Sequence, residues 1–264
     1  MMAGVTGIYD TPELYELTCA YRDVSAEVNA LQGWFGTLLP AGARTLLELA
    51  AGPAEHALEF ARRGLEVTTL DLNPRMCSYA RSKAVAAGLP VEVVRGDMRS
   101  FALPQRFDVA ITMLNSVCHL QTLDDLVAHL SAVAAHIEPG GLYLMELNHP
   151  ADQLSPSPRT SSDWVTETGG VRVAVRWGGP SDRINPVTQV TKEHVVVTVT
   201  EHDGTVRTAT DVVPSRFWTA TEVEAAVRLA GGFETAARYG DFAGAPLEDP
   251  EAWRMIFILR RGPE

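Results

Sequence analysis

The feature that most constrains the fold of this chain is a pair of apolar runs, each ending in a carboxylate, with a turn of small residues between them. The first stretch, residues 45–56, reads TLLELAAGPAEH, and the second, residues 66–74, reads EVTTLDLNP. Such apolar runs are typical of buried strands. The turn at residues 50–54 carries almost no side chains, so a ligand can approach its backbone closely. The pattern predicts a nucleotide-type pocket.

The second carboxylate, Asp71, stands 23 positions after Glu48. This is close to the roughly 20-residue offset at which a doubly wound fold places an acid against the ribose hydroxyls. A carboxylate can accept a hydrogen bond from each of the two hydroxyls. The dinucleotide fingerprint G-x-G-x-x-G is absent, because its glycine places hold Ala50, Gly52 and Glu55. Pro53 also removes an amide donor that a pyrophosphate would use. We therefore expect an unphosphorylated ribose in a ligand without phosphates.

Apolar periodicity along the first half of the chain alternates between strand and helix. After helical spacing over residues 11–39, it predicts strands at 44–49, 66–71, 91–95, 108–113 and 141–147, with helices at 54–63, 74–87 and 122–137. This alternation argues for a parallel sheet with helices on both faces. Ligands bind such sheets at the carboxyl ends of the strands.

Residues 149–214 change character, with β-rich runs at 171–177, 187–201 and 205–213 and a hairpin turn predicted at His202 to Gly204. A helix over 222–230 and strands near 233–240 and 253–260 follow. The predicted organisation is a helical cover (1–40), a ligand-binding core (41–148), an antiparallel insertion that roofs the pocket (149–214) and a return to the core (215–264). The insertion could instead form a homodimer contact.

Composition narrows the classes of partner. The chain has 33 acidic and 22 basic residues, a formal charge of -11, which disfavours nucleic-acid phosphates and anionic membrane surfaces. Cys19, Cys77 and Cys118 form neither a C-x-x-C pair nor an even framework, so we expect no disulfide scaffold and no metal site. We predict a soluble cytoplasmic protein, of bacterial composition, that acts on a small molecule.

The stretch that begins at Glu48 resembles the first motif, E/D-x-G-x-G-x-G, of the class I S-adenosylmethionine-dependent methyltransferases. Ala50, Gly52 and Ala54 stand at its glycine places, and His56 follows as in a small-molecule N-methyltransferase branch. Three further segments resemble later motifs of the family: VEVVRGDM at 91–98, FDVAITMLNS at 107–116 and PGGLYLME at 139–146. One acid after a strand is often only a turn former or a helix cap, whereas three in series favour the family.

The resemblance covers roughly residues 40–148 and implies a Rossmann-like α/β fold. The expected sheet is doubly wound and seven-stranded with a reversed C-terminal hairpin, beside an N-terminal helical lid and an antiparallel β insertion. The implied cofactor is S-adenosylmethionine, with S-adenosylhomocysteine as product. The cofactor-binding residues implied by the resemblance are Tyr21, Glu48, Ala50, Gly52, Asp71, Leu72, Met76, Gly96, Asp97, Met98, Met113 and Leu114.

The same resemblance implies methyl transfer to a nitrogen or oxygen of a small metabolite. His119 and His149 are the candidate bases, because imidazole titrates near neutrality. His119 could instead hydrogen-bond a loop or line the cofactor without chemistry, and the lid tyrosines could be core residues. The candidate substrate-binding residues are Tyr9, Tyr15, Asn115, Glu146, Asn148, Arg216 and Trp218.

Two other classes of function stay open at this stage. A protein of the same fold could bind S-adenosylmethionine or S-adenosylhomocysteine without transferring methyl, since alanine replaces glycine twice in the turn. A nicotinamide-dependent oxidoreductase would also use Asp71, but it would need a phosphate-cradling turn and a proton donor such as a Tyr/Lys pair.

Overall fold

The computed structural model describes residues 7–154 and 158–263. The start of the predicted helical cover (1–6), part of the predicted insertion (155–157) and Glu264 lie outside the described residues. The strands are β1 (Thr45–Leu49), β2 (Glu66–Asp71), β3 (Val91–Arg95), β4 (Phe107–Thr112), β5 (Ile137–Asn148), β6 (Ser161–Thr168), β7 (Val171–Gly178), β8 (Val190–Thr200), β9 (Val206–Arg216), β10 (Phe233–Tyr239) and β11 (Arg254–Arg261). The α-helices are α1 (Pro12–Cys19), α2 (Val24–Leu38), α3 (Glu55–Arg62), α4 (Pro74–Ala87), α5 (Leu123–Ala135), α6 (Ala151–Leu154) and α7 (Ala220–Ala230).

Seven strands form the core sheet in the order β10-β11-β5-β4-β1-β2-β3. β1 to β5 are parallel, while β11 runs antiparallel to both β5 and β10. Leu46, Leu47 and Leu49 are fully buried because helices cover both faces of the sheet. The predicted doubly wound sheet with a reversed C-terminal hairpin is confirmed.

A second, antiparallel sheet, the roof, has the order β6-β7-β8-β9. The predicted turn at its β8–β9 hairpin is present, with Gly204 in the left-handed region at φ 84°. β6 is a strand that the sequence did not reveal. It is an edge strand, and its alternation is weak because few of its residues are buried.

The N-terminal lid consists of two helices, α1 and α2, which lie within the stretch of helical spacing over residues 11–39. The break falls before Asp23, whose carboxylate caps α2 by accepting a hydrogen bond from the Ala26 amide. Ile8 and Leu14 pack against the valines on the inner face of the roof. The Trp164 indole of β6 donates to the Thr18 carbonyl at 2.8 Å, which ties the roof to α1.

Within residues 7–154 and 158–263, every helix is too short or too polar to cross a bilayer.

Candidate active site

A cavity of 1090 Å³ lies at the carboxyl ends of the core strands, beneath the lid and the roof. Pockets for one drug-sized ligand are roughly 300–1,000 Å³, so this cavity lies just above that range. All the residues predicted to bind the cofactor line it: Tyr21, Glu48, Ala50, Gly52, Asp71, Leu72, Met76, Gly96, Asp97, Met98, Met113 and Leu114.

The small-residue turn after β1 forms one wall of the cavity. Ala50, Gly52 and Ala54 have φ values of 51°, 53° and 61°, the left-handed region that glycine adopts without a steric penalty. The Asp71 carboxylate accepts hydrogen bonds from the amides of Gly52 (2.7 Å) and Asn73 (2.8 Å). These bonds hold the turn against the end of β2. They also fix the Asp71 carboxylate at the cavity wall.

Two further acids at this wall differ in environment. Glu48 is buried, accepts from the Ala57 amide at 2.8 Å and lies 3.8 Å from the His56 ring. Burial raises the pKa of Glu48 and the electrostatic effect of His56 lowers it; burial is the larger effect, and the pKa rises to about 7. Asp97 forms an ion pair with Arg99 at 2.7 Å, and this hydrogen bond lowers the pKa of the Asp97 carboxyl.

His119 ends a 3-10 turn (Ser116–His119) directly after β4, and its ring is accessible from the cavity. The Tyr9 ring meets it edge-on, with the ring centroids 5.4 Å apart. The cavity walls desolvate the imidazole and so lower the pKa of His119 below its ordinary 6.5. The ring is therefore neutral at pH 7 and able to accept a proton.

Five of the seven predicted substrate-binding residues also line the cavity: Tyr9, Tyr15, Asn115, Asn148 and Arg216. Burial raises the pKa of both tyrosines, which remain neutral phenols.

Three predicted site residues are not part of the cavity lining, and we withdraw their assignments. The Trp218 indole is buried against the core and donates to the Val117 carbonyl at 3.2 Å. The His149 imidazole lies 3.1 Å from the Leu247 carbonyl, away from the cavity. Glu146 is fully buried and is occupied by two arginines. Their positions near strand ends suggested the site, but their side chains bond to other parts of the protein.

Glu146 instead anchors a buried ionic network below the cavity. It pairs with Arg22 of the lid at 2.9 Å and with Arg254 of β11 at 2.9 Å. It also accepts a hydrogen bond from the Leu114 amide at 2.9 Å. Leu114 has a φ of 55°, an uncommon value for a residue with a side chain. The network joins the lid to the loop after β4 that forms part of the cavity wall.

The roof contributes cavity residues that sequence reasoning missed, among them Trp177, Thr191 and Glu193. The period-2 alternation of β8 could have separated its two faces, but not which face meets the ligand. Among the described residues, no group of three or more His, Cys, Asp or Glu side chains is arranged to hold a metal ion.

Comparison with known proteins shows what the core of the chain is similar to. A family model described as "Methyltransferase domain" matches residues 46–141, the stretch that holds β1 to β4 and the small-residue turn. Over this stretch the chain is similar to methyltransferase domains. This match and the sequence motifs agree on the same strands and turn.

Two curated proteins show what the chain is similar to. It is 31% identical to the dTDP-3-amino-3,4,6-trideoxy-alpha-D-glucopyranose N,N-dimethyltransferase of Streptomyces venezuelae, over 52% of this chain and 56% of the relative. It is 24% identical to the cypemycin N-terminal methyltransferase of Streptomyces sp, over 95% of this chain and 98% of the relative. The chain thus spans only about half the length of the first relative.

Solved structures share the fold of this chain over nearly its whole length. The structure of Streptomyces venezuelae DesVI has a TM-score of 0.78 at 24% identity, over 95% of this chain and 98% of that chain. The structure of KedS8, a sugar N-methyltransferase from Streptoalloteichus sp, has a TM-score of 0.74 at 24% identity, over 100% and 99%. At this identity the likeness establishes the fold alone.

The cavity residues fit S-adenosylmethionine, the cofactor that the sequence motifs imply. An adenosine needs a hydroxyl acceptor and an apolar surface for its base, which Asp71 and the side chains of Leu72 and Met76 supply at one wall. At Gly52 an added Cβ would lie 3.7 Å from the Tyr15 ring, so the turn and the lid enclose a narrow space. The backbone of the turn is accessible there.

Proposed function

We propose that this chain transfers the methyl group of S-adenosylmethionine to an amine nitrogen of a small molecule. The observation that carries the proposal is the single cavity wall that joins Asp71, the left-handed turn and His119 beneath the roof. When bound, S-adenosylmethionine supplies an electrophilic methyl group. The chain's own residues orient the acceptor and manage its proton, and orientation accounts for much of the rate in such transfers.

The state of His119 favours a protonated amine as acceptor. A neutral imidazole inside the cavity can take a proton from an ammonium, which frees the nitrogen lone pair for attack. Tyr9 holds the ring from one side and, as a neutral phenol, can donate a hydrogen bond to the acceptor. An oxygen acceptor with a far higher pKa would need a stronger base than His119 provides.

The relatives suggest which amine to try first. One is named as an enzyme that methylates a dTDP-linked amino sugar and another as one that methylates a peptide N-terminus. Both names describe amines, and we extend that class to this chain. The free thiols of Cys19, Cys77 and Cys118 support a reducing cytoplasm as its location.

The test is a radiolabel transfer assay. The protein is incubated with methyl-labelled S-adenosylmethionine and either dTDP-3-amino-3,6-dideoxy-α-D-glucopyranose, its 4-amino isomer or a tripeptide with a free amino terminus. We expect label in at least one amine and none in the hydroxyl or N-acetyl counterparts. Label in a hydroxyl compound alone would overturn the nitrogen assignment.

A further inference from the structure

The inner face of the roof changes from apolar to polar along β8. Val195, Val197 and Val199 pack on the lid. Because side chains on one face of a strand recur every second residue, Glu193 and Thr191 continue the same face. Both line the cavity, as does Ser215 on the neighbouring strand β9. The polar end of this face therefore covers the cavity.

Glu193 presents a carboxylate to the cavity with only neutral partners. Its Oε2 atom accepts hydrogen bonds from the Trp177 indole at 2.9 Å and from the Ser215 hydroxyl at 2.5 Å. Three other cavity acids are paired with cations: Glu16 and Glu55 with Lys83, and Asp97 with Arg99. Both donors to Glu193 use one oxygen, which leaves Oε1 to meet a ligand.

Thr191 gives an independent sign of a ligand. The residue is only 8% exposed, and its hydroxyl oxygen is buried with no hydrogen-bond partner among the described residues. A buried polar group without a partner is uncommon and calls for one. Thr191 lies opposite Ser215 in the β8–β9 register and about 7 Å along the strand from Glu193. A small molecule could contact both side chains.

This polar patch lies next to the turn that ends at His119, because the Gln121 side-chain amide donates a hydrogen bond to the Pro214 carbonyl of β9 at 3.2 Å. Burial, followed by the charge of Glu193, raises the pKa of Cys118 to about 12, so Glu193 acts electrostatically on the residue beside His119. The Glu193 charge also contributes to the raised pKa of Tyr9, whose ring contacts His119. A ligand held at Glu193 is thus close to the candidate base.

We propose that Glu193 binds the protonated amine of the acceptor, and that the Thr191 hydroxyl bonds an oxygen of the same molecule. The inference rests on the proposed function, and it assigns the acceptor class as an oxygenated amine such as an amino sugar. An ammonium donates to a carboxylate in a charge-assisted bond, which a hydroxyl in its place cannot match. Glu193 would therefore select amines over alcohols.

The test measures that selection by calorimetry on protein saturated with S-adenosylhomocysteine. The probes are dTDP-3-amino-3,6-dideoxy-α-D-glucopyranose and its hydroxyl twin, dTDP-6-deoxy-α-D-glucopyranose. We expect the wild-type protein to bind the amine about tenfold or more tightly than the twin, because charge-assisted bonds are the stronger ones. Glu193→Gln, which keeps the side-chain shape, should bind both probes about equally while its affinity for S-adenosylhomocysteine stays within about twofold.

Two further variants sharpen the result. Glu167→Gln removes a charge from the exposed β6 edge of the roof, outside the cavity lining, and should keep the amine preference. Thr191→Val should weaken both probes alike, by about fivefold, since both carry oxygens.

An amine preference that survives in Glu193→Gln overturns the inference, and so does a wild-type protein with no preference. If the wild-type protein still transfers methyl to the amine in either case, the proposed function holds and only the role of Glu193 is wrong. A wild-type protein that neither binds S-adenosylhomocysteine nor transfers methyl overturns both.

Discussion

Replacing Glu146 by Gln tests the buried ionic network most sharply, because the change removes one charge and almost no volume. Burial alone would raise the pKa of Glu146, but Arg22 and Arg254 outweigh it and bring the pKa from its ordinary 4.5 to about 2. Glu146 is fully buried, so this interaction is little screened by solvent. A depression of this size corresponds to about 3 kcal/mol of stability at neutral pH.

The variant should therefore lose about 3 kcal/mol of unfolding free energy at pH 7, within the range for a buried pair that loses one partner. Urea unfolding followed by tryptophan fluorescence measures this loss, and the m-value should not change. Glu167→Gln removes a carboxylate that is 73% exposed and 3.6 Å from Arg172, and it should cost less than about 0.5 kcal/mol. A loss below about 1 kcal/mol for Glu146→Gln would refute the account of the network.

The contribution of Glu146 to the free energy of unfolding depends on pH with a definite sign. Because the folded-state pKa of Glu146 lies below its unfolded value, its contribution is complete above about pH 5 and disappears as the pH falls toward 2. The difference between wild-type protein and Glu146→Gln should therefore shrink by about half between pH 5 and pH 3. A difference that stays constant over this interval would mean that the network acts through packing and not through charge.

Three further predictions concern the cavity. Asp71→Ala should weaken S-adenosylmethionine binding by about fivefold or more in calorimetry, because the ribose hydroxyls lose their acceptor, whereas Glu66→Ala at the far end of β2 should not. His119→Gln should lower kcat about tenfold or more with little change in cofactor affinity. The bend that we expect below pH 6.5 in a plot of log kcat/KM against pH should vanish in this variant. An unchanged kcat would exclude the base role. Ala50→Gly should leave the free energy of unfolding in urea unchanged or raise it by up to about 1 kcal/mol, because glycine adopts the left-handed backbone conformation of this position without strain. A loss of stability as large as that of an Ala→Gly change in a helix interior would contradict this.

The core fold could be predicted because its signals are local. Most of the parallel strands are largely apolar and buried, and the acids that follow or end them fall at the same edge of the sheet. Asp71 and the turn at Gly52 follow from that rule with no knowledge of the rest of the molecule. The edge strand β6 gave no such signal, since its sequence lacks the regular alternation of a half-buried strand.

The parts that the sequence could not reveal depend on contacts between distant elements. Glu146 lies near the carboxyl end of β5, where a ligand residue is expected, but Arg22 lies 124 positions earlier and reaches it only after the lid has folded. The role of Glu193 depends on the placement of the roof over the cavity. Periodicity fixes which residues share a face, but the tertiary fold decides what that face meets.

The central claim is that the cavity binds the family's cofactor, and calorimetric titration of the purified protein tests it directly. S-adenosylmethionine, S-adenosylhomocysteine and NADH would be titrated in parallel. The account predicts micromolar binding of the two adenosyl ligands, about -8 kcal/mol, and no heat of binding from NADH. Binding of NADH, or no measurable binding of either adenosyl ligand, would contradict it.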